Sequence, residues 1–94
     1  MNLDEIIADV RPPKHSKTWY GRMLLANQDA AQKLRDVIEK FYDGDPEVCR
    51  KIVSKVHLAR VVSVACEQHG VEITPEGART WLRSWLESGR KWTP

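Results

Sequence analysis

The sequence lacks any long hydrophobic run. No apolar stretch approaches the roughly 20 residues that a membrane-spanning helix needs. Acidic residues, Asp4 and Glu5, stand near the N-terminus where a signal peptide carries bases. The only two cysteines are Cys49 and Cys66, and a secreted chain this short usually has more of them. We therefore predict a cytoplasmic protein without a membrane segment, whose two cysteines are reduced.

The patterns on which catalysis and metal binding depend are also missing. There is no glycine-rich phosphate loop, no nucleophile beside a base, and no carboxylate pair outside a helix junction. Cys66 and His69 have a spacing that metal sites use, with His57 and Cys49 upstream, but no second close pair accompanies them. We expect no enzyme, no catalytic residues, no metal site and no cofactor.

No stretch alternates apolar and polar residues for long enough to predict a β-strand, and there is no internal repeat. Apolar residues instead recur at helical spacing, as in Leu34, Val37, Ile38 and Phe41. The chain has 94 residues, 41% of them hydrophobic and 30% charged, which suits one soluble globular domain. We predict an all-α bundle of four to five helices over residues 1–94, with a basic extended arm at 10–18 and a short tail at 90–94.

Local signals set the expected helix boundaries. Ser16 is suited to cap the helix that contains Trp19, and Asp29 is suited to cap the next one. The sequence Gly44-Asp45-Pro46 predicts a break. Residues 46–69 can form one helix or two, and we favour two with a joint near Ser54, because the apolar residues change face there.

The stretch from Val62 to Trp85 has the clearest organisation. Gly70 is suited to end one helix, Thr74 to cap the next, and Pro75 to occupy its first turn. This next helix, predicted over residues 75–88, has one apolar face, formed by Ala78, Trp81, Leu82 and Trp85. Three polar residues are left on or near the other side, namely Arg79, Thr80 and Arg83.

This stretch resembles the helix-turn-helix of small bacterial and phage DNA-binding proteins, in the version with a slightly extended turn. The positions that carry the resemblance are Val62, Ser63, Cys66, Gly70, Val71, Ile73, Thr74, Ala78, Trp81 and Leu82. Ser63 departs from the pattern, which usually has a small apolar residue there. The resemblance covers about a quarter of the chain, and it implies that helix 75–88 enters the major groove of double-stranded DNA.

Seven residues are candidates for nucleic-acid binding. Arg79, Thr80 and Arg83 are candidates for contacts with base edges, because arginine can bond both major-groove acceptors of guanine. Thr74 is a candidate phosphate ligand at a helix start, although it can equally be a simple cap. The remaining candidates, for backbone or minor-groove contacts, are Lys14 and Lys17 of the basic arm and Arg22 just after it. The alternative interpretation of the arginines is that they are solvated charges on an amphipathic helix.

Charge and aromatic content leave more than one function open. The net charge is only +2, but residues 46–94 carry 8 basic and 5 acidic residues against 7 and 8 in residues 1–45. We predict a small sequence-specific DNA-binding protein, a phage or bacterial regulator or accessory factor in transcription regulation, and a possible homodimer. The alternative is a helical protein–protein interaction module, such as a phage-encoded inhibitor or adaptor that binds a host protein. A third is a structural subunit of an assembly. The candidates for a protein interface are Trp81, Trp85 and Trp92.

Overall fold

The structure is a computed structural model that describes residues 18–94. Over this range the chain forms five helices and no strand, which confirms the all-α prediction. The helices are α1 (Trp19–Ala26), α2 (Gln28–Asp43), α3 (Pro46–Lys51), α4 (Lys55–Glu67) and α5 (Pro75–Glu87). None of them is long and apolar enough to cross a membrane. The predicted basic arm lies outside the described residues apart from Thr18, and so do Lys14 and Lys17.

Side-chain caps set the helix boundaries, though not always with the expected residue. Thr18 caps α1 by accepting a hydrogen bond from the Gly21 N–H, while the expected cap Ser16 lies outside the described range. The prediction that Asp29 caps α2 is wrong. Asn27 takes that role, because its side-chain oxygen accepts from the Ala30 N–H and Asp29 already lies in the first helical turn.

The two short breaks after α2 and α3 follow the prediction. Asp45 caps α3 and Pro46 is its first residue. Ser54 caps α4 by accepting from the His57 N–H. Residues 46–69 therefore form two helices with a joint at 52–54, as the change of apolar face indicated.

The connection between α4 and α5 is held at its beginning, middle and end. Gly70 adopts the left-handed conformation (φ 75°), and the Val71 N–H donates to the Cys66 carbonyl at 2.9 Å, closing a Schellman-type helix end. Ser63 is buried in α4, and its hydroxyl donates to the Ile73 carbonyl at 2.5 Å. Thr74 then caps α5 by accepting from the Gly77 N–H. The polar residue that departs from the helix-turn-helix pattern thus fastens the connection to α4.

An aromatic cluster joins the two main helix pairs. Helix α1 packs on α2, and α4 packs on α5. Trp19 of α1 contacts Trp81 of α5, with ring centroids 5.0 Å apart, and Tyr20 contacts Trp92 near the end of the chain. We define the cluster by its five members, which are Trp19, Tyr20, Trp81, Trp85 and Trp92. Aromatic pairs of this kind stabilise by about 0.5–1.5 kcal/mol beyond the burial of their area.

The last residues fold back onto the helices, so the predicted tail is docked. Glu39 of α2 accepts from the Trp92 indole N–H at 2.8 Å and from the Arg90 guanidinium at 2.6 Å. Arg90 also pairs with Asp43 at 2.7 Å and lies over the Trp85 ring at 5.2 Å. The Thr18 hydroxyl donates to the carbonyl of Thr93 at 3.0 Å. Both ends of the described range therefore meet at the aromatic cluster.

We expect Ser63→Ala to lower the free energy of unfolding, because it leaves the Ile73 carbonyl without its buried donor, a loss of about 1–3 kcal/mol. Urea denaturation followed by far-ultraviolet circular dichroism measures this. Ser84→Ala is the matched control, since Ser84 is an exposed serine in the middle of α5 and gains the same helix propensity. Equal effects of the two substitutions would contradict the role assigned to Ser63.

A substitution at Gly21 tests whether the last residues pack against α1. A Cβ atom added to Gly21 would lie 2.6 Å from the backbone carbonyl carbon of Pro94, so we expect Gly21→Ala to displace residues 93–94 and lower the thermal midpoint. In a chain shortened to end at Trp92 the same substitution should be neutral or stabilising, because the clash is gone and alanine favours helix over glycine. An equal loss in both backgrounds would argue against the docked arrangement.

Candidate nucleic-acid interface

Helix α5 presents one face to the core and the opposite face to solvent. Its buried side holds Ala78, Leu82 and Trp85, which are at most 3% exposed. The three residues predicted to contact base edges all lie on the exposed side, namely Arg79, Thr80 and Arg83. The cap and proline at its start hold this helix at one end and the aromatic cluster holds its buried side. A rigid rod with a solvent-facing polar side is the geometry that groove binding requires.

The guanidinium groups of Arg79 and Arg83 are not engaged within the described part of the chain. The ion pairs over residues 18–94 are those of Lys40 with Asp36, Lys51 with Glu47, and Arg90 with Glu39 and Asp43. Glu76 and Glu87 share the exposed side of α5 at helical spacing, yet neither pairs with an arginine there. Both guanidiniums therefore keep all their donors for a ligand.

A cavity of about 230 Å³ adjoins these arginines, and two of its polar lining residues, Tyr42 and Lys55, were not singled out from the sequence. We call it the basic pocket. Its lining residues are Tyr42, Lys55, Arg79, Leu82, Arg83 and Leu86. Lys55 begins α4 and Tyr42 lies near the end of α2, so only the packing of three helices brings them together. No local pattern at Lys55 distinguishes it from the other exposed lysines, which is why sequence reasoning missed it.

The phenol of Tyr42 is neutral at neutral pH, and burial shifts its pKa further in that direction. Tyr42 is half-buried against Trp85, with ring centroids 5.4 Å apart. The loss of solvent raises the pKa of its hydroxyl above the usual value of 10.0. At neutral pH the group is therefore a hydrogen-bond donor and not an anion, so it does not cancel the positive charge of the basic pocket.

The structure favours the capping interpretation of Thr74 over phosphate binding. Its hydroxyl already accepts the Gly77 N–H at 3.0 Å. The cavity beside it is lined by Glu67 and Glu72 together with Gly70 and Ile73. Two carboxylates at this position oppose an anion, so the positive face of α5 lies further along the helix.

Arg22 does not lie with the other candidates on a free surface. It is half-buried, and its guanidinium donates to the Glu72 carbonyl at 3.2 Å, which ties α1 to the connection before α5. Arg22 thus has a structural contact within the fold, which corrects the expectation that it stands free, while its contact with the DNA backbone stays a prediction. Lys14 and Lys17, the other arm candidates, lie outside the described residues.

The predicted tryptophan interface needs a similar correction. Trp85 is only 2% exposed and cannot meet a partner in this conformation. Trp92 directs its indole N–H to Glu39 and packs on Tyr20 at 4.9 Å, so it is also engaged internally. Trp81 is half-buried and stacks on Trp85. The high tryptophan content is used to join helices.

Both cysteines are free, as predicted. Cys66 is fully buried, and burial raises the pKa of its thiol to about 11. The Cys49 thiol donates to the Phe41 carbonyl at 3.6 Å. Within residues 18–94 no three histidine, cysteine or acidic side chains gather where a metal ion would fit. The thiol of Cys66 is therefore a protonated core group.

Residues 62–85 form the end of α4, the connection that Ser63 holds against α4, and most of α5. The arginines of α5 face solvent. The chain matches no protein-family model, no curated protein and no solved structure. Its resemblance to a helix-turn-helix stays a prediction. The features of the structure that bear on a function are the exposed side of α5 and the basic pocket.

Proposed function

We propose that this protein binds double-stranded DNA through the exposed side of α5, as a small regulator or accessory factor. Arg79, Thr80 and Arg83 contact the duplex in this arrangement, with α5 directed toward the major groove. The observation that carries the proposal is the pair of arginines one helical turn apart, both exposed and both without an ion pair in the described part of the chain.

The anchoring of α5 supports this function. Base edges are read by side chains whose helix is held in a defined orientation, because a rotation of the helix would misplace every contact. Thr74 and Pro75 define the first turn of α5, and Trp85 fixes its second half in the core. Helix α4 packs along α5 and is the element that would brace it across the DNA backbone.

The charges around α5 also support a polyanionic ligand. Lys55 adds a third cation beside the two arginines, although it comes from a different helix. Arginine forms strong hydrogen bonds with phosphate and with guanine, since its donors are arranged in a planar fork. The net charge of the protein is only +2. This is compatible with DNA binding, because salt screens distant charges and the charges near the bound DNA determine the attraction.

We expect the double substitution Arg79→Ala/Arg83→Ala to weaken duplex binding by about 10- to 100-fold, because two cationic contacts with the duplex are lost, which corresponds to about 1.4–2.8 kcal/mol for the pair. Fluorescence anisotropy with labelled random-sequence duplex DNA at low salt measures this. The matched control is Lys33→Ala/Arg50→Ala, which removes the same charge from exposed positions on α2 and α3. Equal affinities of the two double variants would contradict the proposal.

A second candidate function is a helical module that binds another protein. It is favoured by exposed apolar residues around α4, with Val53 76%, Val64 54% and Val56 43% exposed. A cavity of about 500 Å³ on the same helix is lined by His57, Arg60, Val61, Val64, Ala65 and Gln68. Exposed apolar residues that lie together often mark a binding surface.

Retention on immobilised heparin separates the two candidates. The DNA-binding function predicts elution at a salt concentration that falls on substitution of Arg79 and Arg83 and is unaffected by Val64→Ser. Elution of the unaltered protein at low salt would favour the protein-binding candidate.

A further inference from the structure

The basic pocket combines three cations from two helices, and we propose that it binds one phosphate group, which in the proposed function belongs to the DNA backbone. The source of the phosphate rests on the proposed function, whereas the anion chemistry of the pocket stands on its own geometry. Lys55 thereby becomes a ligand-binding residue that no sequence motif indicated.

The charge balance of the basic pocket calls for an anion. Lys55, Arg79 and Arg83 line one cavity, and none of its six lining residues is acidic. None of the three cations forms an ion pair with residues 18–94. Glu76 and Glu87 lie on the same side of α5 but neither lines this cavity, so an anionic ligand that enters it meets three cations and no carboxylate.

The donor set suits phosphate. Arg79 and Arg83 are one turn apart on α5 and supply two guanidinium forks, while Lys55 supplies a compact charge from the start of α4. Tyr42 adds a protonated hydroxyl from α2. Donors that come from three helices surround a tetrahedral group better than the planar edge of one base.

Two leucines give the basic pocket its apolar lining. Leu82 is 3% exposed and Leu86 is half-buried, and both form apolar walls beneath the cations. The three cations themselves are exposed, so a ligand reaches them directly from solvent. The cavity of about 230 Å³ far exceeds the roughly 10–15 Å³ that one water molecule requires, so a phosphate group can enter.

This assignment changes what the two arginines are expected to do. A backbone phosphate held by Arg79, Arg83 and Lys55 positions α5 on the duplex without reporting its sequence. Thr80 does not line the basic pocket and stays exposed on the adjoining side of α5, where it can reach a base edge. A duplex carries about one negative charge per 1.7 Å of its axis. This dense charge suits three clustered cations better than the more widely spaced carboxylates of an acidic peptide do.

Lys55→Ala tests the proposal in duplex binding measured over a series of salt concentrations. We expect the slope of log affinity against log salt to flatten by about 1, because one phosphate contact releases about 0.9 counter-ion. Affinity should fall by about 3- to 10-fold, equally on two duplexes of unrelated sequence. Lys55→Arg should restore both quantities. Lys33→Ala is the matched control, since it removes one exposed lysine that lies outside the basic pocket.

The measurements with DNA distinguish the phosphate site from the proposed DNA-binding function. If the unaltered protein binds duplex DNA and Lys55→Ala behaves like Lys33→Ala, the phosphate site is overturned while the proposed function stands. If Arg79→Ala/Arg83→Ala loses affinity on one duplex and not on the other, the arginines contact bases and the phosphate site is again overturned. Circular dichroism of each variant verifies that its helix content is unchanged.

Nuclear magnetic resonance with inorganic phosphate covers the case in which duplex DNA does not bind at all. Amide shifts at residues 54–56 and 79–86, present in the unaltered protein and lost in Lys55→Ala, would keep the phosphate site and point to a small phosphorylated ligand. The absence of such shifts would overturn it. A polyglutamate peptide that shifts the same amides at lower concentration than phosphate would also overturn it and favour an acidic protein partner.

Discussion

The packing of Trp92 between α1 and α5, with Glu39 holding it there, is the interaction on which the rest of the structure depends. One carboxylate of α2 accepts from the Trp92 indole and from the Arg90 guanidinium. This double contact fixes the last residues over a cluster whose other members come from α1 and α5. The cluster thereby adds an aromatic link between two helix pairs that also share one hydrophobic core. Loss of Glu39 would remove the acceptor that Trp92 and Arg90 share, while Asp43 would still pair with Arg90 and Tyr42 would still pack on Trp85.

This arrangement explains why one side of α5 can be fully exposed to solvent. Its buried side is held by Trp81, Leu82 and Trp85, and its start by a capped connection that Ser63 fastens to α4. None of these contacts uses Arg79, Thr80 or Arg83. Stability and ligand binding are therefore carried by separate residues on the same helix, and the arginines can be substituted without disturbing the core.

Much of the fold could be predicted because local chemistry decides it. Thr74 and Pro75 mark the start of α5, and Asp45 and Pro46 mark the start of α3, through hydrogen bonds that span only a few residues. Asn27 was missed as a cap because Asn, Gln and Asp stand next to one another there, and only the backbone conformation selects among them. Val56 is apolar and yet exposed, because the joint at Ser54 resets the helical phase.

The candidate site was predicted only in part, for a physical reason. Exposure of Arg79 and Arg83 follows from helical periodicity, which is a local property. The inward packing of Trp92 and the use of Arg22 as a tie to Glu72 depend on partners 53 and 50 residues away. Lys55 reaches the basic pocket through tertiary packing alone. A sequence pattern carries no information about such distant partners, so aromatic and basic residues that bind internally look the same as those that bind a ligand.

The proximity of the indoles has an optical consequence. With Trp19, Trp81, Trp85 and Trp92 all within a few ångströms of a neighbouring indole, and Trp81 and Trp85 nearly parallel at 16°, excitation energy passes rapidly among the rings. Emission from any one of them therefore reports the whole group. The intrinsic fluorescence of this protein is a gauge of whether α1 and α5 remain in contact, and it carries little information about any single tryptophan.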